Sequence, residues 1–448
     1  MNNSAPNSLG TERIGKLLVQ YAIPTIIAMT ASSIYNITDS VFIGHGVGHL
    51  ALSGLAIAFP FMNLGAAFGS LVGAGASTLL SIRLGQKDYD TANNILGNVL
   101  SLNLIMGIAF SVVALVFLKP ILIFFGADAE VLPYAYDFMF IILLGNVATH
   151  MYFGLNALIR SAGKPRIAMM ATIYTVLINL VLNPLFIFVF HWGIKGSAFA
   201  TIIAQVVVMQ WQIKLFSDKN FFIHWKKGIY RLKRSIVKDS FAIGMAPFLM
   251  NAASCLIVVL INHELIREGG NLAVGAYGIV NRVAFLFVMI VMGLNLGMQP
   301  IAGYNYGARL YPRVLAVLKK TILFATIVML AGFAVVEIFP TAVASVFTTQ
   351  EELIRIAANG LRWVFAFFPL VGFQMVSSAF FQSIGKANKS IILSITRQIV
   401  FLIPILLILP RYWGITGVWA SMTISDGISV ILAFVLLTLE LRKQRTLG

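Results

Sequence analysis

Residues 23–44 read IPTIIAMTASSIYNITDSVFIG, a continuous apolar stretch with a single charged residue, Asp39. About 20 consecutive apolar residues in an α-helix cross the hydrocarbon core of a bilayer. Comparable stretches recur along the 448-residue chain, which is 59% hydrophobic and 11% charged and has a mean hydropathy of +0.90. Soluble domains carry about 25% charged residues. Because the apolar runs are long and do not alternate, they predict an all-α polytopic membrane protein and exclude a β-barrel.

The apolar runs predict about twelve transmembrane helices joined by short connections. The expected spans are 16–43, 51–82, 92–118, 131–159, 166–190, 194–216, 239–263, 273–302, 314–339, 353–381, 388–409 and 415–440. The longest connection, 217–238, is expected to be a basic cytoplasmic linker. It separates an N-terminal six-helix lobe, 1–216, from a C-terminal six-helix lobe, 239–448.

The positive charges predict the orientation of the chain. With a cytoplasmic N-terminus, most of the 32 Lys and Arg residues fall on the inner side, as the positive-inside rule requires. The outer segments then hold only Lys119, Lys195, Arg267, Arg355, Arg362 and Arg411. Both termini are therefore expected in the cytoplasm, in a multi-pass protein of the inner (plasma) membrane.

The net charge of +16 is what this orientation requires, so no nucleic-acid partner is expected. The run HWKKGIYRLKRSIVK, 224–238, predicts an amphipathic interfacial segment. Its cations would attract anionic head groups, and membrane lipids are therefore expected partners.

The two halves of the chain repeat each other. RSAGKPRIAM, 160–169, recurs as QSIGKANKSI, 382–391, and HWGIKGSAFA, 191–200, recurs as YWGITGVWAS, 412–421. Matches in the same order at half the chain length indicate duplication. Six spans per half is an even number, which makes the repeats parallel. Two such repeats are typical of secondary transporters that work by alternating access.

Asp39 lies about 35 Å beyond Lys16 along a helix, in the outer half of the membrane. A carboxyl group at a helix centre costs about 2.5–3.5 kcal/mol on insertion scales and usually marks function. One interpretation is a packing contact with neighbouring hydroxyl and amide groups. The favoured interpretation is a cation site, because a proton or Na⁺ would neutralise the buried carboxylate and a cationic substrate would compete with it.

A second polar group occurs in the fifth and sixth spans. Asn179 and Asn183 are four residues apart and share one helix face. Pro184 should break the helix beside them and free a backbone carbonyl. With Thr201 and Asp39 they form an oxygen set of the kind that Na⁺ accepts. Polar bridges between helices remain an equal alternative for each residue taken singly.

Asp426, Arg282 and Arg397 are further charged residues within predicted spans. Asp426 has no acidic counterpart in the first half, since its repeat position falls near Gln205. A second titrating site and a simple polar contact are equally open. The two arginines either pair with carboxylates or reach an interface.

No catalytic or nucleotide-binding motif is present in the sequence, so the chain is not expected to be an enzyme or to hold a cofactor. Its six His residues are scattered, and the single cysteine has no partner within the chain. The energy for transport is therefore expected from a gradient of H⁺ or Na⁺.

Several motifs together resemble those of the multidrug and toxic compound extrusion (MATE) family, in its MepA- and DinF-type branches. They are IYNITDSVFIGHGVG, LAIAFPF, SIRLGQKDYDTA, ALIRSAGKP, INLVLNPLFIF and WGIKGSAFAT. The likeness covers nearly the whole chain. The glutamate typical of the seventh span in the NorM-type branch is missing from GMAPFLMNAASCLIVV.

The resemblance implies a monomeric antiporter that exports cationic or amphipathic drugs and metabolites in exchange for H⁺ or Na⁺. It implies a cation-coupling site of Asp39, Asn179, Asn183 and Thr201, and a metal site there if the ion is Na⁺. Asn183 departs from the pattern, because relatives commonly have Asp at that position. The resemblance also implies a helix-bending role for Pro24 and a substrate cavity lined by Tyr35, Asn36, Asn156 and Met292.

Two other functions stay open. A lipid-linked oligosaccharide flippase of the same superfamily should carry more basic residues in its cavity. A non-transporting membrane protein is harder to reconcile with the duplicated chain. The substrate, the stoichiometry and the resting conformation are not encoded in any motif.

Overall fold

The computed structural model describes residues 8–218, 221 and 223–445, with side chains up to residue 442. The predicted lobes and linker also include residues 1–7, 219, 220, 222 and 446–448, which lie outside the described residues. The described chain is α-helical, with two π-helical turns and no strand. The predicted all-α membrane fold is confirmed.

Among the described residues, twelve helices have nine residues or more and are numbered α1 to α12 in chain order. They are α1 (Ile14–Gly46), α2 (His49–Gly85), α3 (Tyr89–Val116), α4 (Leu132–Ser161), α5 (Pro165–Pro184), α6 (Gly193–Ser217), α7 (Arg234–Gly307), α8 (Tyr311–Ile338), α9 (Glu351–Phe365), α10 (Phe368–Ser383), α11 (Ala387–Ile395) and α12 (Pro410–Arg445). π-helical turns extend α5 through Leu185–Val189 and α11 through Thr396–Leu402.

The helices account for the predicted spans. Ten helical segments of the described chain are long and apolar enough to cross a membrane, and α9 with α10, bent by 52°, forms an eleventh. α7 has 74 residues and would measure about 110 Å if straight, far more than a bilayer core of about 30 Å. It covers two predicted spans, 239–263 and 273–302, and Gly270 between them has non-helical angles (φ 63°, ψ −160°).

The described residues fall into two compact units. Unit 1 comprises the described parts of Met1–Glu12, Ile27–Phe248 and Gly303–Ala308. Unit 2 comprises the described parts of Arg13–Ile26, Leu249–Ala302 and Arg309–Gly448. The predicted lobe boundaries at 216 and 239 stay a prediction.

Glycines allow two helices of unit 1 to touch backbone to backbone. A Cβ at Gly75 of α2 would lie 1.8 Å from the Ser240 carbonyl oxygen of α7. The contact is reciprocal, because a Cβ at Gly244 would lie 1.8 Å from the Leu71 carbonyl oxygen. Only residues without a Cβ permit this approach, which is a common way to pack helices inside a membrane.

The linker is held against α3 within unit 1. The Asn98 amide of α3 donates to the Arg231 carbonyl oxygen at 3.1 Å and accepts from the Lys233 backbone N–H at 2.8 Å. Ser101 donates to the Tyr230 carbonyl oxygen at 2.8 Å. The predicted interfacial segment, 224–238, is therefore an anchored turn up to Lys233 and helical only from Arg234.

Candidate functional site

Asp39 is a buried carboxylate held by side chains from two other helices of unit 1. Only 7% of the residue is exposed. Its Oδ1 accepts a hydrogen bond from the Asn183 amide at the end of α5 and another, at 2.5 Å, from the Ser197 hydroxyl of α6. Hydrogen bonds to an ionised carboxylate are about twice as strong as neutral ones. Two donors on one oxygen therefore offset part of the cost of burying a charged carboxyl group.

Thr201 forms a second network one helical turn away from Ser197. Its hydroxyl donates to the Ser197 carbonyl oxygen at 3.1 Å. The same hydroxyl oxygen accepts from the Asn179 amide at 3.2 Å and from the Tyr35 hydroxyl at 2.8 Å. The four residues predicted as the cation site thus lie in two linked networks between α1, α5 and α6.

Pro184 shapes the backbone next to Asn183. The sequence predicts a break in the helix, whereas the structure continues from α5 into a π-helical turn at Leu185–Val189. Proline has no N–H group, so it cannot make the usual bond to the carbonyl four residues earlier, and a π turn accommodates that loss. The amide oxygen of Asn183 is buried without a hydrogen-bond partner in the described residues.

The donor set fits a monovalent cation. A carboxylate, two amide groups and two hydroxyls supply the hard oxygens that an alkali cation accepts, and the unpartnered Asn183 oxygen would gain a partner. Within the described chain, no group of three or more His, Cys, Asp and Glu residues is placed to hold a metal ion, so the thiolate and imidazole sets typical of zinc or copper do not occur there. A proton would need only the carboxylate of Asp39.

Sequence reasoning missed Ser197, although it donates directly to Asp39. Ser197 precedes Thr201 by four residues in GSAFAT, and this spacing places both hydroxyls on one helix face. That periodicity was the signal that could have found it. Serine in a membrane span usually bonds to its own helix, and the partner across the helices becomes visible only in the fold.

The predicted cavity residues differ in their surroundings. Tyr35 is half-buried against Thr201, Asn36 is exposed, and Met292 in unit 2 is half-buried. Asn156 is buried and donates to the Ala168 carbonyl oxygen at 3.2 Å. This contact joins α4 to α5 more than two helical turns from Asn179. A cavity-lining role for these four residues stays a prediction.

Pro24 lies inside α1, which is helical on both sides of it. The hydroxyl of Thr25, the next residue, lies within hydrogen-bond distance of the Tyr21 carbonyl oxygen, at 2.8 Å, and of the Gly293 carbonyl oxygen, at 2.7 Å. Both acceptors belong to unit 2 with Pro24. The predicted bending role of Pro24 stays a prediction.

The charged residues predicted within the second-half spans have different partners. Arg397 donates from Nε to Asp426 Oδ1 at 2.8 Å, so α12 is joined by an ion pair to the π-helical turn that extends α11. Arg282 is exposed, and the described residues offer it no ion pair. Of the two alternatives for the arginines, Arg397 takes the carboxylate partner.

A family model described as MatE matches residues 24–185 and, a second time, residues 242–408. The chain belongs to the MATE family. The double match agrees with the internal repeat in the sequence, and the expected resemblance to this family is confirmed. Members of the MATE family are membrane transporters, which disfavours the non-transporting alternative.

Curated relatives in this family extend over nearly the whole chain. A protein called multidrug export protein MepA from Staphylococcus haemolyticus is 27% identical over 420 residues, covering 94% of this chain and 92% of the relative. The protein of the same name from Staphylococcus aureus (strain MRSA252) is 26% identical over 424 residues, covering 95% and 93%.

Solved MATE structures match the fold. A ligand complex of the MATE multidrug transporter DinF-BH is 36% identical to this chain, with a TM-score of 0.89 and 96% of both chains covered. An outward-facing multidrug resistance MATE transporter of the MOP superfamily is 25% identical, with a TM-score of 0.92 and 98% of both chains covered. The two-lobe MATE architecture predicted from the repeat is thereby supported.

Proposed function

We propose that this MATE protein exports cationic or amphipathic drugs and metabolites by alternating access, in exchange for H⁺ or Na⁺. The names of the curated relatives, multidrug export proteins, support the export of drugs. The observation that carries the coupling is Asp39, a buried carboxylate within a span that accepts two hydrogen bonds and lies beside an unpartnered amide oxygen.

Coupling follows from the cost of a buried charge. Without a bound ion, Asp39 is a carboxylate stabilised by Ser197 and Asn183. A proton or a Na⁺ that enters neutralises it, and the site then no longer attracts a cationic substrate. Ion and substrate therefore occupy the protein in turn, which is the requirement for antiport.

Asp39 is the proposed coupling carboxylate because Asp426, the in-span carboxylate considered in the second half, forms an ion pair. Asp426 already has a cationic partner, Arg397, at 2.8 Å. An added cation would meet a carboxylate whose charge the guanidinium already balances. We therefore assign ion coupling to unit 1. Whether the coupling ion is H⁺ or Na⁺ is decided by the experiment described below.

The surroundings of the protein complete the proposal. The distribution of Lys and Arg supports a plasma-membrane protein with both termini in the cytoplasm. Exposed Lys226 and Lys227 on the anchored turn support contact with anionic lipids. A monomer suffices, since one chain contains both repeats.

The flippase alternative requires several basic residues in the substrate cavity. Of the in-span arginines Arg282 and Arg397, Arg397 already pairs with Asp426, which disfavours this alternative.

The function is tested with purified protein in liposomes that contain a fluorescent cation. We expect export to follow an imposed H⁺ gradient or an imposed Na⁺ gradient, each applied separately at otherwise equal conditions. A response to one gradient alone identifies the coupling ion. Transport that runs equally well with neither gradient would contradict antiport, and flipping of a lipid-linked sugar without dye transport would favour the flippase.

Replacing Asn183 by Asp should strengthen cation binding in unit 1. The new carboxyl group would lie next to Asp39, where two like charges retain a proton more readily. At a pH at which both groups are ionised, the second charge at about 4 Å contributes on the order of 1 kcal/mol or more, or about tenfold in Kd. Isothermal titration of Na⁺ and of the cationic dye measures this change. Asn281→Asp adds the same charge at an exposed position of α7 and should change neither Kd. Equal affinities in both variants would mean that position 183 is structural.

A further inference from the structure

The ion pair of unit 2 is a partly open polar site inside a span. The side chain of Arg397 is 28% exposed and that of Asp426 is 16% exposed. The pair uses a single contact, from Arg397 Nε to Asp426 Oδ1 at 2.8 Å. A fully formed bidentate pair would use two N–H groups and both carboxylate oxygens. Hydrogen-bonding capacity therefore remains on both partners.

The neighbouring helices hold the guanidinium in place. The Ser425 hydroxyl of α12 donates to the Arg397 carbonyl oxygen at 2.7 Å, which fixes the backbone within the π-helical turn. Gln374 of α10 is 4% exposed, and its Oε1 accepts from Arg397 Nη1 at 3.4 Å. The Gln374 amide in turn donates to the Leu393 carbonyl oxygen at 3.5 Å. Arg397 is thus positioned by three helices of unit 2.

Part of the Arg397 guanidinium has no hydrogen-bond partner among the described residues. An arginine carries five N–H donors, and two of them serve Asp426 and Gln374. Within the part of the chain that the structure describes, the other three donors have no hydrogen-bond partner. A partly exposed guanidinium is costly against lipid, so its open side is expected to face a water-filled space. A planar fork of free N–H groups matches the geometry of an oxyanion.

We propose that Arg397 binds the carboxylate, sulfonate or phosphate group of an amphipathic substrate. This inference rests on the proposed export function and adds zwitterionic compounds to its substrates. Asp426 orients the guanidinium and balances its charge while no ligand is present, which avoids an unpaired charge in the span. A cationic group on the same ligand would meet the free oxygen of Asp426.

Two dyes that differ in one group provide the test. Rhodamine 110 carries a free carboxylate, and rhodamine 123 is its methyl ester. Binding of each to the purified protein is measured by fluorescence anisotropy. In Arg397→Gln we expect the Kd for rhodamine 110 to rise about tenfold to a hundredfold, the range of a lost charge-assisted hydrogen bond. The Kd for rhodamine 123 should stay within about twofold.

A double variant guards against a folding defect. Arg397→Gln with Asp426→Asn removes both charges, leaves no unpaired ion and should show the same selective loss. Arg282→Gln removes an exposed in-span charge elsewhere, on α7, and should change neither Kd. Equal losses for both dyes, or no loss for rhodamine 110, would overturn the proposal. If neither variant folds, the wild-type protein alone provides a test. A Kd for rhodamine 110 more than tenfold above that for rhodamine 123 would then also overturn the proposal.

Two further arms separate the possible failures. The measurement is repeated in nanodiscs of phosphatidylcholine with and without phosphatidylglycerol. Competition by the anionic lipid at Arg397 would make a lipid head group the occupant and overturn the substrate assignment. Transport of rhodamine 123 by the wild-type protein tests the export function by itself. Its absence would contradict the proposed function, while the binding selectivity still decides the role of Arg397.

Discussion

Asp39→Asn is expected to reduce gradient-driven export to the level of liposomes without protein. Asparagine has nearly the same shape and can still accept hydrogen bonds from Ser197 and Asn183, so the helices should stay packed. It carries no negative charge and takes up no proton, so neither H⁺ nor Na⁺ has a charge to neutralise. Dye efflux under an imposed gradient is the measurement, with thermal unfolding of the purified variant as the test of the fold.

A matched control removes another carboxylate from the same unit. The side chain of Asp137 of α4 is 41% exposed and pairs with Lys195 at 3.2 Å, and exposed pairs of this kind contribute about 0–1 kcal/mol. Asp137→Asn should therefore leave efflux near the wild-type rate. Wild-type efflux in Asp39→Asn would remove Asp39 from the coupling mechanism. An unfolded Asp39→Asn protein would instead favour the packing interpretation of this carboxylate.

Gly75→Ala is expected to have the largest effect on stability. The added Cβ would lie 1.8 Å from the Ser240 carbonyl oxygen and 3.0 Å from the Gly244 backbone nitrogen. Both obstacles are backbone atoms of α7, so no side-chain rotation relieves the overlap and the two helices must separate. Overpacking in a well-packed interior typically costs about 1–3 kcal/mol, and contacts with rigid backbone lie at or above that range. Thermal unfolding and monodispersity in detergent measure the loss.

Gly278→Ala is the matched control, since it replaces a helical glycine of α7 by alanine. A Cβ at Gly278 would have no atom within 4 Å. Alanine is favoured over glycine inside a helix by about 0.5–1 kcal/mol, so this variant should be as stable as the wild type or slightly more stable. Similar melting temperatures for Gly75→Ala and Gly278→Ala would contradict the close packing of α2 against α7.

The spans were predictable from the sequence because the membrane selects them by length and hydropathy. The predicted span 51–82 is α2 at His49–Gly85, and 131–159 is α4 at Leu132–Ser161. The local effect of a proline was not predictable in the same way. Pro184 was expected to break its helix, but the chain continues into a π-helical turn at Leu185–Val189 instead, which accommodates the missing N–H group of proline.

Only part of the candidate site could be predicted from the sequence. Residue type and resemblance singled out Asp39, Asn179, Asn183 and Thr201, and the fold brings them together. The sequence analysis missed Ser197, because a hydroxyl in a span usually bonds within its own helix, although the spacing of four residues to Thr201 places both on one helix face. The ion pair of Arg397 with Asp426 stayed open because two charges 29 residues apart can pair only if the helices that carry them pack in the right register.

The sequence by itself determined the membrane class, the duplicated helices, the family and the carboxylate in YNITDSVFIG. These properties depend on composition, periodicity and order along the chain, to which the hydrocarbon core of a membrane responds directly. Only the tertiary structure decided which donors meet Asp39, that Arg397 pairs with Asp426, and that α2 touches α7 at Gly75. Those outcomes depend on side-chain directions and helix separations within a few ångströms, and packing alone sets them.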